Sequence, residues 1–391
     1  MHELTQILFD LFLIFLSAKI MGAIFEQMHQ PGVIGEILAG IIIGPFLLNL
    51  IEPSGVHEVL AEIGVIILLF TVGLQTGIDE ILKVGRRALL VAILGVVLPF
   101  LFGFLYSMFF EHGTIEAMFI GAAMVATSVG ITARVLADLK ALDTDIARVI
   151  LGAAVIDDIL GMIFLAVVTG AGEGTISYLK IGIVLLEALG FVLFLILVGQ
   201  RLARKYIVPR VANLRVRNAV FGLAIVFCLG LSALASYIEI AAIVGAFMAG
   251  MVLAEFNYKF QLASKAESLY DFLVPFFFVV LGMKVDLLVF SKSEIWLAAL
   301  LITVFAVLGK LIGCGLGALK MGFKSAVTVG VGMVPRGEVG MIIAAVALGA
   351  KAISADLYAV VVFMVVATTM MTPPVLKKLL PKKIEESNQV S

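Results

Sequence analysis

Charge is scarce in this sequence. Asp, Glu, Lys and Arg make up 14% of its 391 residues, where soluble domains carry about 25%. Apolar residues fill 62% and the mean hydropathy is +1.18, so no polar shell could enclose a soluble core. A soluble enzyme, a nucleic-acid binder and a disordered scaffold are excluded, and a net charge of −1 offers no grip on a polyanion. Cysteine is scarce too. Cys228 and Cys314 sit inside apolar runs, which excludes a disulfide framework and reads as two small buried hydrophobes. The four histidines (His2, His29, His57, His112) fall in tails or short loops, and without a His-Glu-x-x-His pattern a metalloprotease is disfavoured. No Gly-rich loop ends in Lys-Ser or Lys-Thr, since Leu311 follows Gly309-Lys310, so no nucleotide partner and no bound cofactor is expected.

Long hydrophobic runs are abundant. A membrane span takes about 20 mostly apolar residues. Dividing the chain at charge clusters, prolines and glycines predicts an all-α polytopic membrane protein of about thirteen spans. They cover 4–25, 31–51, 57–76, 87–110, 114–139, 145–170, 177–200, 217–237, 239–256, 267–284, 293–318, 324–349 and 353–377. The first run carries Asp10 and Lys19, lacks a basic lead-in and passes into further apolar segments, so it reads as a span rather than a cleavable leader. With the N-terminus outside, the inner loops collect Lys83, Arg86, Arg87, Lys140, six basic residues from Arg201 to Arg217, Lys259, Lys265, Lys320 and Lys324. The tail adds Lys377, Lys378, Lys382 and Lys383, while the outer loops hold Lys284, Lys292 and Lys351. The positive-inside rule then predicts N-out and C-in, in the cell membrane.

The sequence also repeats itself. Val33–Ile42 (VIGEILAGII) matches Ile243–Val252 (IVGAFMAGMV), Phe70–Leu74 (FTVGL) matches Val279–Met283 (VVLGM), and Ala123–Ile131 (AMVATSVGI) matches Gly332–Met341 (GMVPRGEVGM) with one residue inserted. Val33 and Ile243 are 210 positions apart, and the other matches keep nearly that offset. Matched spans are seven apart and cross in opposite senses, so spans 2–6 and 9–13 form inverted repeats, a build that puts a site near the midplane. Spans 1, 7 and 8 fall outside the repeat, with span 7 as the link. The same logic predicts two broken, crossing helices. Span 5 carries Ala126–Gly130, with Thr127 and Ser128, and span 12 carries Pro335, Arg336 and Glu338 at the matching depth. Proline withholds a helical hydrogen bond, and Gly, Ser and Thr can satisfy unwound backbone.

Ionisable groups at bilayer depth cost at least about 2.5–3.5 kcal/mol each and read as functional. Asp157 and Asp158 lie in mid-span 6 (LGAAVIDDILGMIFL). Neighbours on a helix diverge by about 100°, so the carboxylates face different surroundings. Both ionised, they repel, which calls for a proton, a cation or a base nearby. Lys310 in span 11 (AVLGKLIGCGLG) has Phe100 at its repeat-related position, so it is an asymmetric addition whose expected partner is one of the aspartates. Arg336 and Glu338 are read as pairing with each other or neutralising the ends of the broken helix. Thr127 and Ser128 offer oxygen to a hard cation. Glu36, Arg134 and Asp138, nearer the inner face, read as local salt bridges, and no role emerges for Asp10, Lys19 or Glu187.

Together these motifs resemble the monovalent cation:proton antiporter-2 family, most closely the NapA-type sodium/proton antiporters. The resemblance rests on Gln30–Gly40 (QPGVIGEILAG), Ala126–Val135 (ATSVGITARV), Ala154–Asp158 (AVIDD), Lys310 and Gly332–Gly340 (GMVPRGEVG), and runs from about residue 4 to 375. It implies dimerisation-unit spans at 1–85 and 217–284, core spans at 86–170 and 285–377, a linker with a basic inner loop at 171–216, and a polar cytoplasmic tail at 378–391. It further implies a homodimer in lipid whose core slides like an elevator. Asp158 would bind sodium, lithium or a proton in competition, and Asp157 would pair with Lys310. Members with the Asp-Asp pair are usually electrogenic.

The sequence leaves other readings open. A potassium(sodium)/proton antiporter of the same family differs only in oxygen placement at the cation site. A glutathione-gated efflux system carries a nucleotide-binding domain with a Gly-rich fingerprint, which this chain lacks. A channel would pass ions without a counter-ion, a receptor would carry a signalling domain, and an enzyme is the least expected.

Overall fold

The computed structural model describes residues 2–28, 30–110, 113–172, 178–213, 218–238, 240–285, 293–349 and 351–380, and all regular structure among them is helical. The first seven helices are α1 His2–Gln27, α2 Gly32–Ile43, α3 Gly55–Gln75, α4 Ile78–Phe109, α5 Thr114–Ala123, α6 Val129–Asp138 and α7 Asp145–Gly172. Next come α8 Tyr178–Phe194, α9 Gln200–Leu202 and α10 Val208–Ala212, joined by π-helical turns Leu195–Gly199 and Ala203–Ile207. The remainder are α11 Ala219–Tyr237, α12 Ala242–Phe260, α13 Leu262–Met283, α14 Ser293–Ala318, α15 Phe323–Gly332, α16 Glu338–Gly349 and α17 Ala355–Leu379. The chain is a multi-pass membrane protein: among the described residues, eight helices are long and apolar enough to cross a bilayer. Several turn large apolar side chains outward, among them Phe12 on α1, Leu186 on α8 and Leu300 on α14.

Local chemistry sets the helix ends. Pro31 precedes the first residue of α2, where the missing N–H has no helical partner to lose. Ser54 and His57 cap α3 reciprocally, and Ser354 accepts from the Leu357 N–H at the start of α17. Two expectations need correction. Helix α4 begins at Ile78 rather than 87, so Lys83, Arg86 and Arg87 ride on its first turns instead of a loop. Arg201, Arg204, Lys205 and Arg210 likewise lie on the helical continuation of α8. Lys, Arg, Leu and Ala are good helix formers, so a basic stretch past the apolar run extends the helix. Arg215, Arg217, Lys292, His29, His112 and the tail beyond Leu380 lie outside the described residues.

The helices pack in two groups. In one, α1 packs on α2, α2 on α13, α13 on α3, α3 on α12 and α12 on α11. The other centres on α4 against α14, with α5 and α7 beside α4, α15 and α17 beside α14, and α16 touching α5 and α17. Glycines form the seams of the first group, as expected where packing rather than water drives association. Gly35 lies on the Met21 carbonyl and Gly245 on that of Leu231; Gly40 lies on Val279 and Gly250 on Phe70; Gly282 lies on Ile37 and Gly73 on Phe247. Every one of these contacts recurs 209 or 210 positions along the chain. Backbone bonds repeat too: Gln30 N–H donates to Phe25 O (2.8 Å) and Ile240 N–H to Ala235 O (2.9 Å). The correspondence therefore reaches α1 and α11, beyond the sequence expectation.

The seams predict a stability effect. A methyl group at Gly40 or Gly250 would overlap a facing carbonyl, whereas Gly85 has open space around it. Gly40→Ala and Gly250→Ala should each destabilise by about 1–3 kcal/mol, while Gly85→Ala should be neutral or slightly stabilising. Thermal melts of detergent-purified variants check this, and three coincident melting curves would contradict it.

Candidate functional site

The centre of the second group holds four buried ionisable side chains: Asp157 (1% exposed), Asp158 (6%), Lys310 (0%) and Arg336 (0%). Helix α7 carries the aspartates and α14 the lysine. Lys310 Nζ donates to Asp157 Oδ1 at 2.7 Å, joining residues 153 apart in sequence. Asp157 Oδ2 is buried and makes no hydrogen bond among the described residues. Gly95 of α4 makes room for the lysine: a side chain there would meet Cys314 Sγ, with Lys310 Nζ 3.7 Å away. Asp158 points elsewhere. It borders a small cavity with Val129, Leu151 and Val155 on its own side and Leu69, Ile243, Val244 and Phe247 on the other. Those last four belong to α3 and α12, so Asp158 stands where the two helix groups meet.

Two interrupted helices cross beside it. Residues 124–128 separate α5 from α6, and 333–337 separate α15 from α16. The breaks are bonded to each other: Ser128 N–H donates to Pro335 O (2.8 Å), Thr127 Oγ1 to Met333 O (3.4 Å) and Thr132 Oγ1 to Gly332 O (2.6 Å). Gly337 packs on the Ser128 side chain, leaving no space for a Cβ. Arg336 gives its guanidinium to carbonyls, with Nη1 on Val334 (3.0 Å) and Met333 (3.3 Å) and Nη2 on Ala306 (3.0 Å). A buried cation thus covers the carbonyl end of α15, where the helix dipole is negative. Glu338 opens α16, but its side chain lies outside the described residues.

Other charged residues sit apart from this centre. Arg134 of α6 bonds Asp138 (3.0 Å), approaches Glu36 of α2 (3.9 Å) and lies over the Tyr270 ring of α13 (4.9 Å), bridging the two groups. Asp10 accepts from Gln6 (2.8 Å) and faces buried His57 (3.6 Å), Lys19 donates to Asp271 O (3.1 Å), and Glu187 is exposed. No trio of His, Cys, Asp or Glu suited to a metal occurs among the described residues. A cation here would rely on carboxylate and backbone oxygens.

Sequence reasoning passed over Thr132, Thr368 and Thr369. Thr368 Oγ1 accepts from Arg336 N–H (3.3 Å) and Thr369 Oγ1 donates to Arg336 O (2.8 Å). The signal in the sequence is the group Thr368, Thr369 and Thr372 following the apolar run Val360–Ala367.

A family model described as "Sodium/hydrogen exchanger, transmembrane" matches residues 12–381. The Na(+)/H(+)-K(+) antiporter GerN of Bacillus cereus is 37% identical over 376 residues, covering 95% of this chain and 96% of that protein. The high-affinity Na(+)/H(+) antiporter NhaS3 of Synechocystis is 35% identical, covering 96% and 90%. Among solved structures, the sodium proton antiporter MjNhaP1 of Methanocaldococcus jannaschii is similar in fold, with a TM-score of 0.66 at 20% identity and 96% coverage of each chain. These relatives are transporters, not enzymes.

Proposed function

The chain belongs to the sodium/hydrogen exchanger family, and from that premise we propose that it is a secondary-active sodium(lithium)/proton antiporter of the cell membrane. The observation that carries this reading is Asp158, buried at the junction of the helix groups, next to an aspartate already paired with Lys310. Asp157 is held by the lysine, whereas Asp158 borders the cavity between the two groups; there it serves as the carboxylate that takes a cation or a proton, and it cannot hold both. A bare carboxylate is costly to carry through an apolar interface. Filling it with either ligand lowers that barrier, so the core moves when occupied and exchange follows. The apolar cavity wall of Leu69, Ile243, Val244 and Phe247 suits such sliding, since it offers no polar partner that would trap the core midway.

In this reading α4–α7 and α14–α17 form the moving core, α1–α3 and α11–α13 form the dimerisation unit, and α8–α10 link the halves. Adding α2, α7, α12 and the two interrupted pairs to the eight long helices gives thirteen passages, N-out and C-in, built as inverted repeats. The glycine contacts that recur at 209–210 positions support the repeat. Asp157 and Lys310 supply the group that releases a further proton, which makes exchange electrogenic.

Potassium in place of sodium is the second reading, favoured by one observation: GerN, 37% identical, is named for both ions. Liposomes loaded with a pH-sensitive dye separate the two. Sodium and lithium are expected to drive proton movement. A potassium response of equal size would move the assignment to the second reading, and silence toward all three ions would overturn antiport.

A further inference from the structure

The unwound segment 333–337 contains one residue, Arg336, whose backbone N–H and C=O are both held by a neighbouring helix. The Arg336 N–H donates to Thr368 Oγ1 (3.3 Å), and the Arg336 carbonyl accepts from Thr369 Oγ1 (2.8 Å). Thr368 sends its own hydroxyl hydrogen to Met364 O (2.7 Å), so its lone pairs stay available to the incoming N–H. All three side chains are fully buried. Where no water reaches, a backbone donor and acceptor released from a helix need partners, and two adjacent hydroxyls provide both.

This residue has leverage over the ion site in two directions. One residue earlier, the Pro335 carbonyl accepts from Ser128 N–H (2.8 Å), the backbone bond that ties the first break to the second. The Arg336 side chain reaches Ala306 O (3.0 Å) on α14. Ala306 precedes Lys310 by four residues, on the same helix face, and Lys310 holds Asp157 at 2.7 Å. Fixing residue 336 therefore fixes both the crossing of the breaks and the helix that presents the lysine.

The internal repeat sharpens the point. Moving back 210 positions, the offset that relates the cap of Thr144 on Ala147 N–H to that of Ser354 on Leu357 N–H, leads from Thr368 to Asp158 and from Thr369 to Ile159 on α7, while Asp157 leads forward to Ala367 on α17. Both helices lean on the crossing, yet one presents carboxylates and the other hydroxyls. The clamp, like Lys310, breaks the symmetry.

We propose that Thr368 and Thr369 are positioning residues for the cation site, clamping the backbone of Arg336 on both sides so that the crossing and the Lys310–Asp157 pair keep the geometry Asp158 needs. This inference rests on the antiport reading. Its test uses the same dye-loaded liposomes, with wild type, Asp158→Asn, Thr369→Val and Thr369→Ser. Valine keeps the shape of threonine without the hydroxyl, and serine keeps the hydroxyl. Thr369→Val is expected to raise the apparent KM for sodium about tenfold, the effect of one lost buried hydrogen bond, with a smaller change in maximal rate. Thr369→Ser should restore the wild-type KM. A wild-type KM in Thr369→Val, or equal impairment in both variants, would overturn the clamp. An active wild type silenced by Asp158→Asn keeps the antiport reading in either case; an inactive wild type removes that reading and this inference with it.

Discussion

Asp158→Asn is expected to reduce sodium-driven proton movement to that of protein-free liposomes. The change keeps side-chain volume and keeps polar atoms at the cavity, so the fold should survive and the protein should purify as the wild type does. It removes the one thing exchange requires, a group that is an anion when it meets a cation and neutral when it has taken a proton. An amide is neutral throughout, so the core could cross without cargo and nothing would couple the two ions. Sodium should also cease to raise the melting temperature of the purified protein, because the binding that stabilises the folded state is gone. Sodium-dependent flux at wild-type size in this variant would mean that Asp158 is structural. Asp157→Asn is the informative neighbour: it spares the carboxylate at the cavity and disrupts only the pair with Lys310, so binding at residue 158 should weaken rather than vanish.

Much of this site is legible in the sequence because charge inside a membrane has few explanations. Asp157, Asp158, Lys310 and Arg336 stand out against apolar runs, and the structure gathers all four in one place. The two interruptions are legible too, since Pro335 and the Gly-Ser-Thr pattern around residue 128 both weaken a helix. What stays hidden is what hydropathy ignores. Hydropathy marks where apolar residues end, and a helix continues past that point whenever its residues favour helix, as α4 does toward Ile78 and α8 toward Arg210. The threonines are hidden for another reason. A buried Thr usually bonds the carbonyl one turn earlier, as Thr71, Thr303 and Thr372 do here. Thr369 belongs to the same composition but turns to Arg336 across a helix interface, and only three-dimensional placement separates the two behaviours. The matching contacts of α1 and α11 were hidden because they lie in packing geometry rather than in shared residues.

The second large effect is expected at Lys310. Its ammonium and the Asp157 carboxylate are fully buried and 2.7 Å apart. Lys310→Gln leaves the carboxylate without its countercharge, and breaking a buried pair this way costs about 3–5 kcal/mol. Arg336 does not make the hydrogen bond that Lys310 makes to Asp157: its Nη1 and Nη2 donate to the carbonyls of Met333, Val334 and Ala306. The double variant Asp157→Asn/Lys310→Gln should recover much of that loss, since two neutral amides can hydrogen-bond where two charges did. A double variant that melts as low as Lys310→Gln would argue that the lysine stabilises by packing alone. Transport should separate from stability. Lys310→Gln retains Asp158 and hence exchange, but it loses the group that can release a proton beyond the one displaced by the cation. Exchange should then run one-for-one and stop responding to an imposed membrane potential, whereas the wild type should respond. Voltage-driven exchange persisting in Lys310→Gln would locate the additional proton elsewhere. The asymmetry of the fold makes this a fair test, because the repeat-related residue Phe100 carries no charge and no second lysine stands in the matching position to take over.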